Sequence, residues 1–516
     1  MIEGIKPRDY QNEILSTCKD KNCLVVLPTG IGKTLIALML AEHRLREHPD
    51  KKVLFLAPTR PLAEQQLEYF KKYLPELFAT IEIFTGKVPA TTRKKLWQRA
   101  DIIFSTPQCI ANDVRKNLYD LSEVSLLIED EAHRCIRNYD YAFIAKNYLS
   151  KASHPRILGM TASPGADKKK IREICNNLGI QALEVRTRDS EDVKEYLQDL
   201  KTEVIKLIFP SKLSSFRDLL KKIYDRKLGE LKNRKLLFGS PTKTNLLKTQ
   251  ARLIQKISSG DKNFNSLIGA SACAQAIKIS HAMELLETQT VSSALDYLKD
   301  LLKQAEQKKS KAVQSLVKLD DFNTVYLGLT ELVSQGFEHP KVKVVRDVVW
   351  EEMTSGKGKR IIVFSQFRST ASRVCKELNS LQGVNGRVFV GQAKKGDTGL
   401  SQKEQKEMLD EFRSGEVNCL CATSIGEEGL DLPEVSLVVF YEPIPSAIRK
   451  IQRRGRTARL KPGRVVTLVT KATRDEIYFW SAFHKEKKMA SAMDSLKKEF
   501  DGTSEGQKGL EDFGGE

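Results

Sequence analysis

The stretch CLVVLPTGIGKT, residues 23–34, decides how the chain is read. Its first five residues form an apolar, partly β-branched run, the pattern of a buried strand. Its last two open a helical pattern over residues 33–46. Between them lies a tight turn with Gly30 and Gly32. Glycines let backbone N–H groups approach phosphates, and a helix N-terminus adds its positive dipole. Lys33 would then reach the β- and γ-phosphates of a nucleotide, and Thr34 would ligate Mg²⁺. The strict G-x-x-x-x-G-K-T pattern wants glycine where this chain has Leu27, so the generic match is incomplete. A plain Gly-rich turn before a helix is the alternative.

Further apolar runs follow at 53–57 (VLFLA), 101–105 (DIIFS), 125–128 (SLLI) and 156–161 (RILGMT). Helical patterns stand between them, for example over 61–73. Buried strands alternating with helices imply a parallel sheet covered on both faces. Past Pro210 the texture changes. SFRDLLKKIYDRKLGELKNRKLL places Leu219, Leu220, Ile223, Tyr224 and Leu228 at helical spacing, and HAMELLETQ and SSALDYLKDLLKQAEQ continue that style. Alternation resumes at His339-Pro340 with strands RIIVFS, GRVFV, NCLCAT, SLVVFYE and GRVVTLV and helices at 342–353, 370–381, 402–413 and 446–454. The expected organisation is α/β, with two doubly wound parallel-sheet domains at 1–209 and 336–490. An all-helical insert fills 210–335, and a disordered tail 491–516.

The chain of 516 residues is too long for one core. Hydrophobic residues make up 41% and charged residues 29%, which suits a soluble globular protein. No apolar run approaches a membrane span, and MIEGIKPRDYQ lacks a signal peptide's core. A cytoplasmic or nucleoid-associated location is expected, or a nuclear one in a eukaryote. Nine cysteines without a Cys-x-x-Cys pair read as reduced thiols, so no zinc site or iron–sulfur cluster is expected. The net charge of +19 favours a polyanionic partner.

DEAH, residues 130–133, follows the strand at 125–128. A carboxylate at a strand's C-terminal end can hold Mg²⁺, and a second beside it can orient an attacking water. Asp130 is thus the metal residue and Glu131 the candidate base. Glu129 stands where an apolar residue belongs; alternation turns it away from Asp130, toward an expected basic partner. IQRRGRTARL, residues 451–460, sets Arg453, Arg454, Arg456 and Arg459 within seven positions. Such a cluster suits a nucleic-acid backbone, a nucleotide phosphate or plain solvent.

Taken together these residues resemble the superfamily 2 helicases. That family writes the phosphate loop as T-G-x-G-K-T, matched here by Thr29, Gly30, Ile31, Gly32, Lys33 and Thr34. RDYQ resembles its adenine-recognition element, with Arg8 and Gln11. APTRPLAEQQ, FTG, STPQ, TAS, IVFSQFRST, ATSIGEEGLDLP and QRRGRTAR follow in the family's order. Within the superfamily the likeness is to the Hef and Fanconi anaemia M-type helicases. It spans about residues 5–488 and rests on DEAHR, FVGQAKKGDTGLSQKEQ, ATSIGEEGLDLPEVSLVVFYEPIPSAIR, QRRGRTAR and the helical insert with HAMELLETQ. The resemblance implies two RecA-like domains closing on one ATP with Mg²⁺. Arg456 and Arg459 would reach the γ-phosphoryl, Gln452 and Arg453 would couple it to DEAH, and Gly429 and Asp431 would line the nucleotide. It also implies nucleic-acid contacts at Thr59, Arg60, Thr85, Gly86, Thr106, Gln108, Gln366, Arg368, Thr423 and Ser424, although each hydroxyl alone could equally cap a helix. No nuclease signature accompanies the motor, so cleavage is not carried over.

Residues 211–262 hold 14 basic and 4 acidic residues, a net +10. This face grips duplex or branched DNA or is simply solvated. The expectation is an ATP-dependent, monomeric helicase or translocase that remodels forked or branched DNA in repair. The rivals are a duplex-RNA-stimulated ATPase and a non-catalytic branched-DNA scaffold. Intact Lys33, Asp130, Glu131, Arg456 and Arg459 argue against the scaffold.

Overall fold

The computed structural model describes the chain except residues 1, 3, 76, 138, 261–262, 357–358, 392–398, 424–431, 447–450, 452, 454–456, 458–461 and 512–516, and gives only the backbone of 501 and 503–511. Strands β1 (Cys23–Val26), β2 (Lys52–Leu56), β3 (Ile81–Phe84), β4 (Ile102–Ser105), β5 (Val124–Asp130), β6 (Ile157–Thr161) and β7 (Ala182–Val185) form one sheet in the order β3-β4-β2-β5-β6-β1-β7. Its pairings are parallel. Neighbouring residues part to opposite faces. Leu24, Val26, Leu54 and Leu56 enter one core, while Cys23, Val25, Val53 and Phe55 enter the other. With both faces covered, β1 and the stretches Val53–Leu56, Ile102–Phe104 and Leu126–Ile128 show no polar gap.

The second sheet comprises β8 (Leu200–Leu207), β9 (Ile361–Phe364), β10 (Gly386–Phe389), β11 (Cys419–Ala422), β12 (Leu437–Phe440) and β13 (Gly463–Thr470), in the order β10-β11-β9-β12-β13-β8. It too is parallel, and Ile361 and Val363 part from Ile362 and Phe364 in the same way. β8 corrects the expected limit of the first domain at residue 209. It pairs with β13 from Leu200↔Gly463 to Leu207↔Thr470, so it is an edge strand of the second sheet. Arg464 clamps it through Glu203, at 3.2 and 2.9 Å. Its sequence, LKTEVIKL, reads as polar because an edge strand leaves much of itself to solvent.

Six helices are described in the insert: Ser211–Asn233, Lys243–Ser258, Phe264–Thr288, Val291–Glu306, Lys311–Val317 and Asp320–Ser334. They enclose two cores. One, around Leu220, Leu286 and Phe322, includes the partly buried Phe367 of the second unit. The other, around Leu231, Leu253 and Cys273, lies farther out along the same helices.

Of the tail 491–516 expected to be disordered, residues 491–511 belong instead to a helix, Arg474–Glu511, and the rest lie outside the described residues. Met493, Leu496 and Phe500 stand at i, i+3 and i+7 and pack into a core of the first unit. Arg172 grips Glu499 with two bonds of 2.6 and 2.8 Å. Polar, Gly-rich composition hid this stripe. At the helix's start, Asp475 pairs with the fully buried Lys341, which also donates to the Thr288 carbonyl at 2.9 Å. One ammonium, on the helix Pro340–Thr354 of the second unit, therefore ties that unit to the insert and the long helix.

Candidate nucleotide and nucleic-acid site

The candidates of the first unit stand at the C-terminal ends of strands, apart from Arg8 and Gln11 at the chain's first helix. β1, β6 and β5 are neighbours, and they lead into the phosphate loop, TAS and DEAH. β2, β4 and β3 continue the same edge into Thr59 and Arg60, Thr106 and Gln108, and Thr85 and Gly86. Sheet order thus sorts the motifs into two adjoining halves, as ligand sites of open α/β sheets are sorted.

Gly30 and Gly32 adopt φ of +87° and +86°. A Cβ on Gly32 would come within 2.3 Å of Gln11 Nε2. The loop is held from behind by helix Asp9–Asp20: Gln11 Nε2 donates to the Ile31 and Gly32 carbonyls at 3.3 and 3.4 Å, and its Oε1 accepts from Arg8 N at 2.9 Å. The Arg8 guanidinium lies 4.6 Å over the Tyr196 ring. Tyr196 escaped the sequence reading, since nothing near it in sequence marks it. Lys33 Nζ curls over the loop, donating to the carbonyls of Leu27 at 2.9 Å and Pro28 at 3.3 Å. Thr29 and Thr34 are half-buried beside it.

Asp130 is 8% exposed. Burial first, and then the charge of Glu131, push its carboxyl up to about 7. Its Oδ1 accepts from Glu131 N at 3.0 Å, and its Oδ2 lies 3.5 Å from Gln66 Nε2. Burial also acts upward on Glu131, but His133, Lys33 and Arg134 outweigh it and hold the carboxyl below its usual range. His133 Nδ1 lies 3.2 Å from Glu131 Oε2 and 3.1 Å from Thr161 Oγ1, which joins DEAH to TAS. Glu131 sits at φ +53°, a conformation costly for a residue other than glycine and frequent at working sites. Adjacent carboxyls pushed in opposite directions suit different roles. A cation would restore the charge of Asp130, while the lowered carboxyl of Glu131 favours its ionised form. The positive-φ glycines of the loop, the Lys33 ammonium and a desolvated carboxylate together fit a magnesium-bound nucleotide.

Glu129 is fully buried on the opposite face of β5. The expected basic partner is absent: no cation lies within ion-pair distance among the described residues. Burial lifts its carboxyl to about 8, with the Cys135 thiol acting weakly against this.

In the second unit, Arg453 is buried and its guanidinium lies 4.5 Å over Phe364. Glu442, at the end of β12, accepts from Gln366 N; burial raises its carboxyl to about 7 while Lys341 and Arg453 pull it down. Glu442 was missed because its partners stand far off in sequence. Arg368 donates to the Gly391 carbonyl at 3.0 Å, and Thr423 is buried at the end of β11. Gln452, Arg454, Arg456, Arg459, Ser424, Gly429 and Asp431 lie outside the described residues.

Thr59 and Thr106 occupy helix N-cap positions, yet neither hydroxyl makes the capping bond. Arg60 pairs with Glu64 at 2.6 Å, and Gln108 donates to the Tyr139 hydroxyl at 3.0 Å. Thr85 is buried, and Gly86 faces open space.

Residues 8–171 match the DEAD/DEAH box helicase family, 212–335 the helical bundle of putative ATP-dependent RNA helicases, and 340–461 the helicase conserved C-terminal domain. The crystal structure of the Pyrococcus furiosus Hef helicase domain is similar, with 42% identity and a TM-score of 0.70 over 92% of this chain and 98% of that one. A putative ATP-dependent RNA helicase of Methanocaldococcus jannaschii is 38% identical over 95% of this chain. The ATP-dependent DNA helicase mph1 of Neurospora crassa is 32% identical over 91%. This chain spans 61% of the former's length and 41% of the latter's.

Proposed function

We propose a forked or branched DNA substrate for this chain, which belongs to the superfamily 2 helicases of the Hef and Fanconi anaemia M type and is an ATP-hydrolysing helicase. Loop amides from Thr29 to Gly32 and the Lys33 ammonium would hold the phosphates. Arg8 and Gln11 would meet the base. Thr34 and Asp130 would hold Mg²⁺, which supplies charge neutralisation when bound. Glu131 would orient and deprotonate the attacking water. Arg456 and Arg459, assisted by Gln452, would meet developing charge on the γ-phosphoryl across the cleft, with Gly429 and Asp431 lining the nucleotide.

One observation carries the substrate reading: the nucleotide half and the hydroxyl-bearing half share one continuous sheet edge. Thr59, Arg60, Thr85, Gly86, Thr106 and Gln108 would track a strand's phosphates. Gln366, Arg368, Thr423 and Ser424 would do so from the second unit. The buried Glu442, joined to Gln366 N and attracted by Arg453, links the two jobs. DNA is favoured by the name of the Neurospora relative, and branched DNA by the basic insert. A duplex-RNA substrate is the second reading, because the Methanocaldococcus relative and the helical-bundle family are both named for RNA helicases. Strand displacement on forks, four-way junctions, tailed DNA duplex and RNA duplex decides between them. Branched DNA should turn over fastest; equal rates on plain tailed duplex would overturn the branch preference, and RNA first would overturn DNA.

A further inference from the structure

Thirteen large apolar side chains are exposed among the described residues, and five of them fall within residues 238–267, at the outer end of the helical insert. They are Phe238, Leu247, Ile254, Phe264 and Leu267, with Phe264 73% and Phe238 66% exposed. The helices here already fill their own core with Leu246 and Leu253. Leu247 and Ile254 stand one position further round, so the apolar stripe continues past the core onto the surface. This end is held in shape: Arg252 donates to the Leu236 carbonyl at 2.9 Å, Asn245 Nδ2 to the Phe238 carbonyl at 2.7 Å, and Arg234 to Asn265 Oδ1 at 2.9 Å. Exposed apolar side chains gathered within thirty residues on an ordered frame are a candidate binding face.

The charge around it narrows the occupant. Residues 231–260 contain seven Lys/Arg and no Asp/Glu. All seven are exposed. Among the described residues only Lys243 has a carboxylate within ion-pair distance, Glu284 at 3.8 Å. The occupant must therefore be anionic and must also present flat apolar faces. A closed duplex offers phosphates but hides its bases. Unpaired bases at a branch offer both, and aromatic side chains between cations are how proteins bind unpaired strands without reading sequence.

We infer that the outer end of the insert holds unpaired bases at a branch point. They stack on Phe264 and Phe238, while Lys235, Lys248 and Arg252 take the neighbouring phosphates. This rests on the branched-DNA reading above. Two variants of the full chain test it, F238A/F264A and K248Q/R252Q, each checked by thermal melting. Binding is followed by anisotropy across a salt series, on a fork with unpaired nucleotides at its branch and on a paired duplex of equal length. The aromatic variant should lose about tenfold on the fork and nothing on the duplex, with its salt slope kept. The lysine–arginine variant should weaken on both and flatten the slope by roughly one per charge removed. A fork preference left intact by F238A/F264A would overturn the stacking alone and give the apolar face to a protein partner. A wild-type chain that held both substrates equally would overturn the branch reading and this inference together.

Discussion

β5 ends in Asp130, 8% exposed, with its carboxyl lifted to about 7. Two strands along the same edge, β4 leads into Thr106, half-buried, and Gln108, exposed. One sheet thus carries a dry half and a wet half. The dry half needs desolvation, because charge stabilisation of a phosphoryl group is strong only where water is excluded. Under the proposed function the wet half would meet a polymer that enters and leaves, and there Thr106 and Gln108 stand shallow while Thr85 is buried. The order β3-β4-β2-β5-β6-β1 keeps the two apart yet adjacent.

The comparison breaks most visibly if the dry half does not control hydrolysis. Arg456→Ala or Arg459→Ala should lower kcat by about 10³–10⁵ if these side chains meet the transferring phosphoryl group. DNA affinity without nucleotide should hold. Lys33→Ala should cost about 10²–10³ in kcat, the range for one preorganised donor at a developing charge. Steady-state ATPase with saturating single-stranded DNA measures both. Near-normal turnover in either arginine variant would mean that the second unit does not complete the site.

Glu129 separates burial from function within the dry half. Its folded carboxyl titrates at about 8 against an ordinary 4.5, so the native state keeps a proton that the unfolded chain releases. Its stabilising contribution is full below about 4.5 and is lost as pH rises through about 8. Glu129→Gln cannot ionise. It should therefore unfold at higher urea than wild type near pH 8.5, by on the order of a few kcal/mol, and the gap should close toward pH 5. Magnesium and nucleotide should relieve the raised carboxyl of Asp130 but leave the pH dependence of Glu129 in place. Parallel pH profiles for the two chains would remove Glu129 as a buried acid.

How much could be read beforehand follows the same division. The phosphate loop and DEAH were legible because phosphate and metal chemistry demands fixed residues at fixed spacing, and runs such as VLFLA were legible because both faces are covered. β8 was not, because LKTEVIKL lies at an edge. Nor was the C-terminal helix, whose Met493, Leu496 and Phe500 find their core in the first unit, more than three hundred positions back. Glu442 and Tyr196 were missed for the same reason: their partners, Gln366 and Arg8, are joined to them by folding and not by spacing.

The smallest effects should come from the wet half, and their smallness is itself informative. Thr59→Ala removes a hydroxyl that caps nothing, and Gln108→Ala removes an amide that now bonds Tyr139. If these groups touch phosphates, each loss should weaken DNA binding severalfold at most, and by the same factor on every sequence, because phosphate contacts position a strand without reading it. The KM for ATP should not move in the absence of DNA, while the DNA concentration giving half-maximal ATPase should rise. An ATP titration without DNA reads the first, and a DNA titration at saturating ATP reads the second. A change confined to the KM for ATP would place these side chains in the dry half and erase the boundary between β5 and β2; a change that differed among DNA sequences would mean that the edge reads bases.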